Sequence, residues 1–173
     1  MNYTFVSSSA EDTLNFGKKI AAQLHKKDVF VLTGELGSGK TKLVEGILSF
    51  FNLQDEISSP TFTIVNEYAT PDFPIFHFDV YRLSDSSEFY EIGGEEYFEN
   101  GVCLIEWGEL ISDALPSDFV HISFEKSDVD RKHFFPVSIQ LNRLLQEIVK
   151  MYPLAGADKI SRTKLANERD LSE

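Results

Sequence analysis

A continuous apolar stretch, Val29-Phe30-Val31-Leu32, runs into Gly34-Glu35-Leu36-Gly37-Ser38-Gly39-Lys40-Thr41, and nothing else in the sequence limits the possible folds as tightly. The apolar run has the character of a strand buried on both faces. The segment after it matches Gly-x-x-x-x-Gly-Lys-Thr, and Leu43, Val44, Ile47, Leu48 and Phe51 then recur at helical spacing. A loop that wraps polyphosphate turns backbone N–H groups inward, which demands conformations and close approaches that glycine tolerates best. The helix that follows adds its partial positive charge. Lys40 is thereby predicted to reach the β- and γ-phosphates, and the Thr41 hydroxyl to coordinate Mg²⁺. With glycine near 7% of residues, the bare pattern arises by chance in roughly one chain in a few hundred. The strand before it and the helix after it are what separate this instance from an accident.

The rest of the chain alternates strand and helix patterns. Tyr3–Val6 reads as a short strand, and Ser8-x-x-Glu11 as a capping box for a helix reaching about His25. Phe62–Tyr68 and Ile75–Tyr81 read as an antiparallel hairpin around Thr70-Pro71-Asp72-Phe73-Pro74. Residues 85–99 look helical with a break at Gly93-Gly94, and Val102-Cys103-Leu104-Ile105 is a second fully apolar strand. Phe119–Phe124 and His133–Leu141 alternate as late strands. These elements predict an α/β, P-loop NTPase-like three-layer sandwich, with a central mixed sheet that is parallel in its centre and antiparallel at one edge. Residues 1–140 form the predicted ATPase domain. Residues 141–173 hold one amphipathic helix pattern and, after Pro153, a polar tail predicted to be disordered or loosely packed.

A phosphate-bound Mg²⁺ needs a carboxylate at the C-terminal end of a neighbouring strand. Two strands end in one. Glu106 follows the fully apolar run and is the first choice, while Asp79 follows Ile75-Phe76-His77-Phe78 and is the second, as an outer-shell or water-positioning group. The plainer alternative for Asp79 is an N-cap or turn carboxylate. The four histidines lack metal-ligand spacing and read as structural, and Trp107 reads as a core or pocket-wall aromatic.

Composition narrows the function. The chain of 173 residues carries 16 Lys and Arg against 28 Asp and Glu, a net charge of −12. Phosphate contacts to nucleic acid need clustered cations, so strong autonomous RNA or DNA binding is disfavoured. Eight acidic residues and no basic one lie between Asp85 and Glu109, a solvated acidic face or a docking surface for a basic partner. The single cysteine, Cys103, fits a reducing compartment. No apolar run approaches the roughly 18 residues of a membrane span, and Met1–Val6 has no leader-like pattern, so a cytoplasmic location is expected. The loop also fits small nucleoside and shikimate-type kinases, but the five arginines (Arg82, Arg131, Arg143, Arg162, Arg169) form no lid-like pair. A guanine-reading Asn/Thr-Lys-x-Asp motif is absent from the sequence, which favours ATP over GTP. A small-molecule kinase and a nucleotide-responsive scaffold stay open as alternatives.

Four blocks together carry a further resemblance. They are Gly34–Thr41; Ser59-Pro60-Thr61-Phe62-Thr63 with Val65-Asn66-Glu67-Tyr68; His77-Phe78-Asp79-Val80-Tyr81-Arg82-Leu83; and Leu104-Ile105-Glu106-Trp107. In order and spacing they resemble the bacterial TsaE family, also called YjeE, over roughly residues 5–135. The resemblance implies a weak Mg²⁺-dependent ATPase in the synthesis of threonylcarbamoyladenosine on tRNA. It also implies TsaB and TsaD as partners whose complex it resets, and TsaC in the same pathway. Carried onto this sequence, it gives the nucleotide to Glu35, Leu36, Gly37, Ser38, Gly39, Lys40, Thr41, Lys42 and Trp107, and Mg²⁺ to Thr41 and Glu106. Asp79 receives an essential active-site role and Thr61 a switch-like position able to sense the γ-phosphate. Glu35, Ser38 and Lys42 depart from the residues usual at their positions, and Lys42 adds a charge beside the loop.

Overall fold

A computed structural model describes residues 2–58, 60, 62–125 and 135–140. Among the described residues twelve regular elements follow in chain order: β1 (Asn2–Ser7), α1 (Ala10–Ala21), β2 (Val29–Gly34), α2 (Lys40–Phe50), β3 (Val65–Tyr68), β4 (Ile75–Asp79), α3 (Ser86–Glu91), α4 (Gly94–Asn100), β5 (Val102–Glu106), a 3₁₀ turn (Gly108–Ile111), β6 (Val120–Phe124) and β7 (Phe135–Gln140). The seven strands form one sheet in the order β1-β7-β6-β2-β5-β4-β3.

The centre, β6-β2-β5-β4, is parallel throughout. Strands β4 and β5 are buried along their whole length, and β2 over Val29–Leu32, as parallel strands covered on both faces must be. Antiparallel pairing occurs at both edges rather than one: β3 pairs with β4 on one side, and β7 with β6 and β1 on the other. The one-edge expectation overlooked the N-terminal strand, which the sequence does not assign to a neighbour. A two-residue hairpin needs antiparallel strands, but β1 and β7 lie far apart in sequence, so no local signal sets their direction.

Successive strand residues point to opposite faces, and this alternation makes the three layers. Phe30, Leu32, Leu104, Val120 and Ile122 pack against Phe16 and Ile20 of α1 and Leu43, Val44, Ile47 and Leu48 of α2. Val29, Val31, Phe76, Phe78, Cys103 and Ile105 pack on the other face against Phe89 of α3, Phe98 of α4 and Ile111 of the 3₁₀ turn. Each fully buried Leu, Ile or Phe contributes about 1.5–3 kcal/mol, so both layers are held by burial rather than by cross-links.

Helix starts differ in detail from the sequence reading. The cap of α1 is Ser9, whose side chain accepts the Asp12 N–H at 3.0 Å, while Asp12 in turn accepts the Ser8 N–H at 2.9 Å. The predicted Ser8–Glu11 box is therefore replaced by a Ser9 cap with Asp12 at its third helical position, and the Asp12 carboxylate reaches back to the Ser8 N–H, one residue before the cap. Phe62–Ile64 turn rather than extend, and strand β4 ends at Asp79. Thr61, His133, Phe134 and residues 141–173, with their expected switch position, strand start, helix and tail, lie outside the described residues. Among the described residues no helix is long and apolar enough to cross a membrane. The acidic run falls mainly on α3 and α4, where Glu91, Glu95, Glu96 and Glu99 are exposed and Glu106 alone is buried.

Candidate nucleotide-binding site

In open α/β sheets ligands bind beyond the carboxyl ends of the parallel strands. Gly34, Glu106, Asp79 and Phe124 all stand at that end of β2, β5, β4 and β6. The loop from Gly34 to Gly39 crosses it and delivers the chain into α2.

Glycine is required there by geometry. Gly34 has φ +133°, and a Cβ on it would lie 2.4 Å from the Phe124 carbonyl oxygen, so the loop leaves the sheet in direct contact with β6. Gly39 has φ +106° and stands at the N-cap of α2, where it offers no side-chain cap. The first turn of α2 also contains no acidic residue. By contrast α1 and α3 are capped by Ser9 and Asp85, and α4 carries Glu95 and Glu96 in its first turn. An eleven-residue helix left with uncapped N–H groups, two lysines in its first turn and no acid there is built to receive an anion.

Lys40 is almost fully buried, 3% exposed. Its Nζ donates to the carbonyl oxygens of Gly34 at 2.6 Å and Glu35 at 3.0 Å, and lies 3.8 Å from the Trp107 ring centroid. The loop is therefore folded around its own lysine, with an aromatic face stabilising the ammonium. Trp107 itself sits at φ 64°, a left-handed conformation uncommon for a bulky residue, and donates its N–H to the Leu32 carbonyl at 2.9 Å. Its ring packs against Tyr81 at 4.9 Å. Ser38 is buried, with an Oγ that has no hydrogen-bond partner among the described residues, whereas Glu35, Leu36 and Gly37 are exposed on the outside of the loop. Lys42 forms an ion pair with Glu45 one turn along α2, so its charge is balanced locally.

The carboxylates lie where the strands predict. Glu106 is 3% exposed, and the Thr41 hydroxyl reaches its two oxygens at 2.9 and 3.0 Å. Asp79 is Glu106's register partner on β4. Its Oδ1 accepts the Tyr81 N–H at 3.2 Å and its own N–H donates to the Ile64 carbonyl at 3.0 Å. Asp79 thus makes the turn contact expected of it and stands in register with Glu106. The segment leading to β3 is pinned nearby, since Asn66 Nδ2 donates to Ser58 O and Oγ at 3.0 Å and Asn66 Oδ1 accepts from Thr63 Oγ1 at 2.9 Å.

His77 is structural, as expected, but with a partner the sequence did not indicate. It is fully buried, and its Nε2 lies 2.9 Å from Glu106 Oε1. It is a partner of the Glu106 carboxylate, and its Nδ1 has no partner among the described residues. The available signal was parity: residues 77 and 79 share one face of β4.

Among the described residues no three His, Cys, Asp or Glu side chains converge as a metal cage. A hydroxyl beside a buried carboxylate, next to an anion-ready helix start, is instead the hard-oxygen donor set that Mg²⁺ shares with a bound phosphate. The residues present fit the phosphates of a nucleotide, with a hydroxyl and a carboxylate that could hold a divalent cation beside them.

Comparison with known proteins places the chain in a family. The family described as "Threonylcarbamoyl adenosine biosynthesis protein TsaE" matches residues 7–134. A relative from Rickettsia bellii, named tRNA threonylcarbamoyladenosine biosynthesis protein TsaE, is 38% identical over 133 residues, 76% of this chain and 92% of that protein. A Bacillus subtilis relative of the same name is 37% identical over 141 residues, 80% of this chain and 88% of its own. The crystal structure of Bacillus subtilis YdiB superposes with a TM-score of 0.70 at 30% identity, covering 87% of this chain and 96% of that one.

Proposed function

The chain belongs to the TsaE family, and from that premise we propose that it is the Mg²⁺-dependent ATPase subunit of tRNA threonylcarbamoyladenosine biosynthesis, cycling a TsaB–TsaD complex between turnovers. The observation that carries the reading is the Thr41 hydroxyl on buried Glu106 at the start of an uncapped, acid-free helix.

The chain's own groups divide the work. The loop amides and the α2 N-terminus bind the phosphates, and Lys40 exchanges its contacts with Gly34 and Glu35 for phosphate oxygens. Thr41 and Glu106 hold Mg²⁺, which when bound neutralises charge developing on the transferred phosphoryl group. Asp79, across from Glu106, orients the attacking water. Trp107 walls the lysine side of the site, and Thr61 senses the γ-phosphate from the segment between Ser58 and β3. Lys40 is the buried cation of the loop, and Arg82 is exposed and lies 5.5 Å from the Phe62 ring. An added cation raises phosphoryl-transfer rates by about 10³–10⁵, so slow basal hydrolysis and stimulation by partners follow. The tRNA is held by those partners, in keeping with this chain's acidic charge, and the setting is cytoplasmic.

The test is ATP hydrolysis by the full chain alone and with the TsaB–TsaD heterodimer, alongside modified-tRNA content after depletion. Stimulation by the heterodimer and loss of the modification support the reading. Indifference to the heterodimer with modification intact refutes it, and large stimulation of ADP release by a small hydroxyl compound would assign a kinase instead.

A further inference from the structure

Position 77 faces the α1/α2 side of the sheet, where its strand neighbour Ile75 and its register partner Leu104 are both apolar core residues. A side chain there that served packing alone would be apolar too. An imidazole at 0% exposure instead carries a desolvation cost that only a strong hydrogen bond offsets. Its one described polar contact is Nε2 to Glu106 Oε1.

We propose that His77 is a positioning residue for Mg²⁺ binding, fixing through Nε2–H the orientation of the Glu106 carboxylate. The inference rests on the nucleotide-binding role given above to Thr41 and Glu106. An ionised carboxylate only accepts, so the imidazole nitrogen facing it carries the proton. Oε1 takes bonds from both His77 Nε2 and Thr41 Oγ1, while Oε2 takes only the Thr41 bond. Thr41 has a single hydroxyl proton, shared between the two oxygens. A hydroxyl holding a cation would use an oxygen lone pair and keep its proton for the carboxylate. The His77 bond would then be a second, fixed anchor, holding Oε1 while Oε2, which has no imidazole partner, would be the oxygen left for the cation or its water. Strand pairing of β4 with β5 sets the histidine's position, so the carboxylate is oriented before any ligand arrives. Outer groups that orient metal ligands in this way typically account for 10–100-fold in metal affinity or activity.

The experiment uses the full chain, the variants His77→Ala and His77→Gln, and a non-hydrolysable ATP analogue. Binding of the analogue is first measured calorimetrically in EDTA. Mg²⁺ is then titrated into the complex while the fluorescence of Trp107, the only tryptophan, is followed. The expected result is unchanged analogue affinity in EDTA for both variants. The half-saturating Mg²⁺ concentration rises by about 10–100-fold in His77→Ala, and His77→Gln, which restores an N–H donor, recovers most of it. Wild-type Mg²⁺ dependence in His77→Ala overturns the proposal. So does an equal loss of EDTA-phase analogue binding in both variants, which would mark a merely structural histidine. If the wild-type chain binds the analogue without any Mg²⁺ response, the metal role given to Thr41 and Glu106 fails first and this one with it, whereas absence of analogue binding in the wild type refutes the nucleotide site itself.

Discussion

Helices α1 and α2 cross at two glycines, and Gly46→Ala at that crossing has a calculable consequence. A Cβ on Gly46 would lie 2.4 Å from the Leu14 carbonyl oxygen and 2.9 Å from the Leu14 Cα. One on Gly17 would lie 2.5 Å from the Leu43 carbonyl oxygen and 2.8 Å from the Ile47 nitrogen. All of these neighbours are backbone, so no side chain can rotate away. Ordinary contact begins at 3.4 Å, and the helices must therefore part by about 1 Å, 3.4 less 2.4. A gap of that size forfeits a quarter to a half of each dispersion contact across the crossing, and overpacking of this kind costs about 1–3 kcal/mol. Alanine regains about 1 kcal/mol of helix propensity over glycine, so a crossing at the upper end, with added contact loss, leaves about 2 kcal/mol net. At about 2–4 °C per kcal/mol for a chain of this size, the melting temperature falls by about 4–8 °C. Thermal unfolding followed by circular dichroism measures it. Because α2 also carries Lys40 and Thr41, nucleotide affinity falls in the same variant at temperatures where it is still folded. A melting temperature equal to or above wild type would show that the close approach imposes no constraint.

Glu106→Ala should reduce Mg²⁺-dependent hydrolysis by about 100-fold or more, since outer-shell changes already cost 10–100-fold, while Mg²⁺-free nucleotide binding changes little. Equal loss of both, by steady-state kinetics and calorimetry, would contradict the metal role. His121 is held below its usual pKa by burial, with the Glu109 charge opposing, and its Nε2 bonds Thr33 Oγ1 at 2.8 Å. Below about pH 6.5 the unfolded chain therefore binds a proton that the folded chain resists, so stability falls as pH drops through that window and levels off above it. Denaturant titrations at several pH values should show a shallower fall for His121→Gln, and an identical slope would refute the assignment. Cys103 is fully buried, and desolvation pushes its thiol up to about 12. Alkylating reagents at mildly alkaline pH should leave the native protein unmodified and label it completely in guanidinium chloride; rapid native labelling would contradict the burial.

The parallel centre was legible because its strands are buried on both faces and so read as unbroken apolar runs, Val29–Leu32 and Val102–Ile105. The loop was legible because phosphate binding dictates glycine, lysine and threonine at fixed offsets. What escaped was long-range. The pairing of β1 with β7 leaves no local trace, and neither does the Gly17–Gly46 crossing, where two glycines 29 positions apart meet each other's helix backbone. His77 escaped because a ligand search looks for spacing along the chain, whereas its partner sits on the neighbouring strand. The left-handed Trp107, which swings its ring over Lys40, is likewise a tertiary outcome with no propensity behind it.

The central claim is that the loop and Lys40 bind the phosphates of ATP. Calorimetric titration of ATP with Mg²⁺ into wild type and Lys40→Ala tests it most directly, with circular dichroism confirming that both are folded. Saturable 1:1 binding to the wild-type chain and its loss in Lys40→Ala is the expected result. Equal affinity in the two proteins would contradict it.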